Sequence, residues 1–450
     1  MGILGMIGLI GSLALLVYLT MKGINIIIAA LISSIVVAIT GRLSLETAMM
    51  ENYMNGFTDY FASWFLVFLL GAIFGKMMQE TKSADSIAQF IKSKFGAKRA
   101  VFAVVAAAAI MTYGGVSLFV VGFAVYPIAV SLFRAANLPH RFIPAALVFG
   151  SISFTMTAPG SPEIQNIIPT EFFGTSPTAG GFIGVLSALL IMVIGGIWLG
   201  SMVKKASQNG ETFSLPNASS ANTNEEMAAS LAEQEEVESN SPKKDLPNII
   251  VAIIPLVLVI VVLNILGQFM NPTTALLIAL SLGITVACLS MLRFLTEFWN
   301  SLATGAQNAL VALANTCAVV GFGSVAAQVA AFDALIDGLV NIPGPPLVGL
   351  AIGVTVICGI TGSASGGLGI ALPILAPIYL AQGVDPGAMH RVSALASGGL
   401  DSLPHNGYVV TTVRAICGES HSRAYKPILM LSVILPTIIL ALAVLLYSVF

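Results

Sequence analysis

The sequence predicts an all-α polytopic membrane protein made of two inverted repeats of five crossings, each with a re-entrant hairpin and a broken helix. Three observations predict it. Of the 450 residues, 57% are hydrophobic and only 9% charged, too few to build a water-facing surface, which takes about a quarter. Apolar runs of roughly 20 residues, enough to span a bilayer, recur along most of the chain. The two halves also match at a shift of 250 residues, and an internal repeat decides the fold class before any single element does.

The repeat is visible residue by residue. Gly71 maps to Gly321, Pro127 to Pro377, and His140-Arg141 to His390-Arg391. Runs 23–40 and 273–290 are equivalent membrane helices, as are 56–78 and 305–329. Between the halves lies a stretch of different composition. Residues 207–245 hold eight of the 21 acids and almost no bulky apolar side chain. Such a segment cannot offset its ordering entropy by burial, so it is expected to be a disordered linker. The organisation is therefore a first transmembrane repeat over 1–205, a linker over 206–246 and a second repeat over 247–450.

Composition excludes other classes. No basic stripe is present to hold phosphates, which argues against nucleic acid as a partner. Cys288, Cys317, Cys358 and Cys417 are scattered in apolar surroundings without a C-x-x-C pair and read as core residues, with no metal or cofactor implied. The N-terminus has no positive residue before Lys22 and reads as a first membrane helix.

Within each half, two short apolar arms flank a small-residue turn. Arms 100–112 and 118–133 enclose Tyr113-Gly114-Gly115-Val116-Ser117; arms 346–360 and 368–380 enclose 361–367. Arms of about 13–16 residues suit a hairpin that dips into the bilayer and returns. Each hairpin is followed by an interrupted helix. Residues 142–154 run into 155–160, and a new helix is expected at Ser161-Pro162-Glu163, a cap, a proline and an acid in helix-starting order. Residues 392–400 run into 401–407, with a restart over 408–417. Helices 182–202 and 428–449 close the halves.

Five crossings per half invert the second half relative to the first. With both termini outside, Lys22, Lys82, Lys92, Lys94, Lys98, Arg99, Arg134, Arg141, Lys204, Lys205, Lys243, Lys244, Arg293, Arg423 and Lys426 fall on the cytoplasmic side, and only Arg42 and Arg391 outside. That asymmetry satisfies the positive-inside rule for a bacterial inner membrane and makes the linker cytoplasmic.

Inverted repeats with discontinuous helices are a recurring plan of secondary transporters, with substrate bound where the interrupted segments meet. The hairpin tips offer Thr112, Gly114, Gly115 and Ser117, then Thr361, Ser363, Ser365, Gly366 and Gly367. The breaks add Thr155, Thr157 and Ser161, then Ser402, His405 and Asn406. Hydroxyls, amides and free helix starts can hold a carboxylate without a fixed lysine. Small residues of this kind also serve simply to pack helices closely. Ionisable groups at mid-membrane are costly, and Asp401, His405 and Glu163 lie in or beside the breaks. Asp401 with His405 is the leading proton-coupling pair, because imidazole titrates near physiological pH. His140 and His390 read as structural.

Residues 150–174, GSISFTMTAPGSPEIQNIIPTEFFG, resemble the core of GntP-type permeases, and residues 396–407, ASGGLDSLPHNG, resemble the matching break in one branch of that family. The resemblance covers nearly the whole chain outside the linker. It implies a relative of gluconate:proton symporters in the ion-transporter superfamily, with two inverted repeats, a homodimer and an elevator-type motion. It implies gluconate, related sugar acids or short hydroxy acids as substrates. The His-Val-Asn-Asp-Ser stretch of the gluconate carriers is absent, and Leu-Asp-Ser-Leu-Pro-His-Asn stands in its place. That points toward the branch associated with 3-hydroxybutyrate. Sodium coupling is the alternative to protons. A remote alternative is an intramembrane serine protease, since Ser363-Ala364-Ser365-Gly366 approaches a G-x-S-G motif; that chemistry needs a base within hydrogen-bond reach of the serine.

Overall fold

Asparagine starts four of the described helices, Asn406 among them. Asn25, Asn248 and Asn271 each accept a hydrogen bond from a main-chain N–H of the first turn, filling a donor that would otherwise be an orphan. The computed structural model describes residues 2–22, 24–96, 99–116, 118–216, 246–340 and 342–449, and among them there are helices and no strands. Most of the expected linker, 217–245, and the tip residue Ser117 lie outside the described residues.

The first half contains α1 (Gly2–Met21), α2 (Ile26–Thr40), α3 (Thr47–Glu80), α4 (Ser83–Phe95), the hairpin α5 (Ala100–Tyr113) and α6 (Leu118–Ala135), α7 (Ile143–Val148), α8 (Ile164–Phe173) and α9 (Gly181–Gln208). The second half contains α10 (Ile249–Leu266), α11 (Pro272–Ser290), α12 (Phe298–Ala326), α13 (Ala330–Val340), the hairpin α14 (Pro346–Thr361) and α15 (Ala364–Ala381), α16 (Pro386–Ser397), α17 (Gly407–Val410) and α18 (His421–Val449). Helix α7 continues through a π turn over Phe149–Ser153, and α17 through one over Thr411–Ile416.

Seven of the described helices are long and apolar enough to cross a bilayer. The outer face of α10 presents Ile250, Ile254, Val257, Val261 and Ile265, and that of α9 presents Phe182, Val185, Leu189, Val193 and Ile197. Apolar stripes at helical spacing left uncovered are surfaces for hydrocarbon. The chain is a multi-pass membrane protein.

Packing is reciprocal between the halves. Helices α3 and α12 pair closely: a Cβ on Gly56 would overlap Ser324, one on Gly305 would lie 3.0 Å from Ile73, and one on Gly321 would lie 2.9 Å from the Tyr53 ring. Glycine at each crossing lets the backbones approach where apolar solvent supplies little drive. Helix α2 packs on α12 and α11 on α3; α1 packs on α13 and α10 on α4. Beyond its break, α8 packs against α15 and α16, while α17 with its π turn packs against α6 and α7. Each post-break helix thus lies on the other half's hairpin and pre-break helix.

Several boundaries differ from expectation. The arms α6 and α15 are 18 residues each, longer than the 13–16 expected, so length does not separate them from spanning helices. The second tip is much shorter than 361–367. Gly362 ends α14 at φ +59 and Ser363 immediately caps α15, its Oγ accepting from Gly366 N at 3.2 Å. Ser365, Gly366 and Gly367 therefore sit in the first turn of α15. After the first break the helix begins at Ile164, not Ser161; the Ser161 Oγ accepts from Glu163 N at 3.3 Å, and Asn166 holds the Ser161 carbonyl at 2.8 Å. That local bond keeps Ser161 and Pro162 extended. Helix α16 stops at Ser397, ahead of the Gly398-Gly399 pair.

The near end of the linker is packed. Helix α9 reaches Gln208, Glu211 receives both Nε and Nη2 of Arg141 at 2.7 and 2.8 Å, and the Phe213 ring meets His140 edge-on and lies under the Arg134 guanidinium.

Candidate functional site

The second hairpin tip and the second break are locked together. Asn406 accepts from Val409 N at 2.9 Å, capping α17, and its amide nitrogen donates to the Gly362 carbonyl at 3.1 Å. The His405 ring occupies the space where a side chain at Gly362 would stand. Thr361 Oγ1 bonds the Cys358 and Ser363 carbonyls at 3.2 and 3.0 Å, closing the tip on itself. Asp401 is buried in a short 3-10 turn and accepts from Ser402 Oγ at 3.0 Å. The Tyr425 hydroxyl donates to the Ser402 carbonyl at 3.1 Å.

The first tip and the first break are joined in the same manner by different residues. The Tyr113 hydroxyl donates to the Pro159 carbonyl at 2.8 Å, and Asn264 of α10 donates to the Gly160 carbonyl at 3.0 Å. A Cβ on Gly115, which sits at φ +89, would lie 3.3 Å from Pro162 and 3.4 Å from Val259. Thr155 donates back to the Ser151 carbonyl at 2.5 Å, ending the π turn.

The two breaks touch. A Cβ on Gly398 would lie 2.9 Å from the Thr157 methyl. Arg391, with 0% of its surface exposed, donates to the carbonyls of Thr157, Pro177 and Ala179, the last through Nε at 3.0 Å and Nη2 at 2.7 Å. No carboxylate lies within ion-pair distance of it among the described residues. The Tyr408 hydroxyl, just past the second break, donates to Ser151 Oγ at 3.3 Å. At the tips, the breaks and the α10 contact, the buried polar atoms without a hydrogen-bond partner include Thr112 Oγ1, Thr157 Oγ1, Asn264 Oδ1 and both ring nitrogens of His405.

A separate cavity of about 400 Å³ opens between α3, α8, α12 and α15. Asp59, Tyr60, Trp64, Glu171, Ser324 and Gln328 line it.

A sequence model described as GntP family permease matches residues 3–398. The uncharacterized transporter YxjC of Bacillus subtilis (strain 168) is 34% identical over 456 residues, covering 94% of each chain. The chain belongs to the GntP family of permeases. Among solved structures, the YdaH transporter of Alcanivorax borkumensis matches with a TM-score of 0.50 at 15% identity, over 89% of this chain and 87% of that one. The antimetabolite efflux pump MtrF of Neisseria gonorrhoeae gives a TM-score of 0.48 at 14% identity, over 89% and 83%.

In this GntP permease the expected site residues divide by what they touch. Thr112, Thr157, Ser161, Ser402, His405 and Asn406 are buried at the tips and breaks, as are Thr155, Thr361, Ser365 and Asp401. Gly114 and Gly367 serve packing: a Cβ on Gly114 would press on Leu256, and one on Gly367 on Cys358. Gly366 donates its N–H to the cap of α15. Glu163, at the start of α8, makes no capping bond through its side chain. No ion pair joins Asp401 to His405 among the described residues, so the two stand as separate groups. Neither Ser363 nor Ser365 is hydrogen-bonded to a histidine; they face each other at 3.4 Å.

Residues that sequence reasoning passed over hold the permease's site together. Arg391, expected among the external charges, lies buried against the first break. Asn264 is the one amide in the otherwise apolar run of α10, a signal that could have found it. His390, read as structural, is held by Thr175 Oγ1 at 2.6 Å and Asn166 Oδ1 at 3.3 Å. His140 bonds Glu419 Oε1 at 2.9 Å and Tyr126 at 3.1 Å.

Proposed function

We propose that this permease is a secondary active transporter that imports a small organic hydroxycarboxylate, such as 3-hydroxybutyrate or gluconate, by proton symport. The observation that carries the reading is the set of unpartnered buried polar atoms on Thr112, Thr157 and His405, at a hairpin tip and at both breaks. A buried donor or acceptor without a partner costs about 1–3 kcal/mol, and a ligand carboxylate with hydroxyls offers partners of the right kind. The buried cation of Arg391 beside the first break, without a carboxylate of its own, supports an anion as that ligand.

The architecture proposed is two inverted repeats, supported by the reciprocal packing of α8 on α15 and α16 and of α17 on α6 and α7. The hairpins are proposed to be re-entrant, the termini to lie outside a bacterial inner membrane, and the linker to be cytoplasmic. A homodimer is proposed from the family resemblance alone. In the mechanism, substrate binds at the tips and breaks, and Asp401 takes a proton from outside. The neutralised site then moves as a rigid body, and substrate leaves inside.

Proteoliposome uptake tests this. An imposed proton gradient should drive accumulation of 3-hydroxybutyrate or gluconate, a sodium gradient should not, and Asp401→Asn should abolish uphill uptake while leaving exchange. Accumulation in Asp401→Asn equal to wild type would remove Asp401 from coupling, and accumulation on sodium alone would replace the proton.

A further inference from the structure

The cavity between α3, α8, α12 and α15 has a polarity gradient. At its rim stand the exposed carboxylates Asp59 and Glu171. Glu171 is held there by Thr273, whose hydroxyl donates to it at 2.7 Å. Deeper are Tyr60 and Trp64, each only 5% exposed. The Tyr60 hydroxyl is buried and lies toward Ser365 of the second tip, and its ring lies where a Cβ on Gly369 would be 3.0 Å away. Gly369 is one turn along α15 from Ser365, so the deep end abuts the second hairpin tip. No Lys, Arg or His lines the cavity. Its volume of about 400 Å³ is within the range of small-molecule sites, roughly 300–1,000 Å³.

We propose that this cavity is the chamber through which substrate reaches the second tip, and that Asp59 and Glu171 at its rim make the permease select monocarboxylates over di- and tricarboxylates. The inference rests on the transport reading above and narrows its substrate class. Two uncompensated carboxylates repel each negative charge a solute carries, so a second charge on the solute doubles the penalty while a hydroxyl adds none. The buried Tyr60 phenol beside Ser365 then meets the polar end of the monoanion. Because the rim is exposed to water, its repulsion is screened by salt over about 10 Å at 0.1 M.

The test measures competition against labelled 3-hydroxybutyrate uptake in proteoliposomes, with lactate as monoanion and malate as dianion. In wild type, malate should compete much more weakly than lactate, and raising salt from 20 to 300 mM should narrow the gap. Asp59→Asn and Glu171→Gln should each reduce the malate-to-lactate ratio of inhibition constants by about threefold or more, and the double variant further. Tyr60→Phe should raise KM about threefold while keeping that ratio. Carboxamide variants that transport 3-hydroxybutyrate with an unchanged ratio would overturn the rim's role, and an unchanged KM in Tyr60→Phe would overturn the chamber. Wild-type protein that accumulates neither 3-hydroxybutyrate nor gluconate would instead overturn the transport reading, and this inference with it.

Discussion

The guanidinium of Arg391 donates to the main-chain carbonyl of Thr157, so a cation from the second half of the chain holds the interrupted backbone of the first. The same side chain reaches Pro177 and Ala179, which return from α8 toward α9. The Thr157 and Ala179 carbonyls take their side-chain donors from one planar fork, while that of Pro177 also accepts from Gly160 N and Asn166 Nδ2.

Arg391→Met is therefore expected to lower stability by about 3 kcal/mol, because it strips the Thr157 and Ala179 carbonyls of their side-chain donor in a largely buried site. Arg391→Lys should recover only part of that, since an ammonium on a flexible stem cannot match the fork. Thermal unfolding of the purified protein in detergent measures both, and a lysine variant as stable as wild type would contradict the account.

Asn406 has two duties that substitution can separate. Its oxygen caps α17 and its nitrogen reaches Gly362. Asn406→Ala should cost about 1–2 kcal/mol from the lost cap and tie together. Asn406→Ser keeps a capping oxygen but cannot span to the tip. Its stability should be closer to wild type, while substrate affinity falls as far as in the alanine variant. Paired thermal-shift and uptake measurements distinguish the two contributions.

Gly362 must be glycine for two reasons at once. Its φ is +59, and the His405 ring fills the place of a side chain. Gly362→Ala should lose about 1 kcal/mol from the left-handed backbone and more from the collision. His405→Ala in the same chain removes the collision, so the double variant should be more stable than the sum of the single effects by about 1 kcal/mol or more. Strict additivity would show that the ring and the tip are not in contact.

The Arg141–Glu211 pair holds the first linker residues against the membrane domain. Hydrogen bonding to Arg141 keeps the Glu211 carboxyl below its ordinary range. A carboxylate depressed in the folded state contributes above its unfolded pKa and loses that contribution as pH falls through the folded value. The strap should thus stay docked at neutral pH and release only on the acid side of the usual carboxylate range. The side chain of Glu211 is 40% exposed, so the pair is worth at most about 1 kcal/mol. Hydrogen exchange at residues 211–216 as a function of pH checks this, and Arg141→Gln should flatten the profile.

The positions of both helix interruptions are legible in the sequence. The Thr-Met-Thr-Ala-Pro-Gly interruption and the Leu-Asp-Ser-Leu-Pro-His-Asn interruption announce themselves, because proline, glycine and small polar residues cannot continue an apolar helix. Helix termini were less legible. Gly398-Gly399 stops α16 three residues early, and the Ser161 side-chain bond delays α8 by three; both are decided by hydrogen bonds that a pattern of residue types does not specify.

Composition and spacing alone determined that this chain is helical and embeds in a membrane, since both are properties of local sequence and its solvent. Only the tertiary structure decided which buried groups find partners. It took Arg391 from the surface to the first break and set Asn264 against Gly160. Those outcomes depend on residues more than a hundred positions apart meeting in a low-dielectric interior. There every polar group must be satisfied by a neighbour the chain brings from elsewhere.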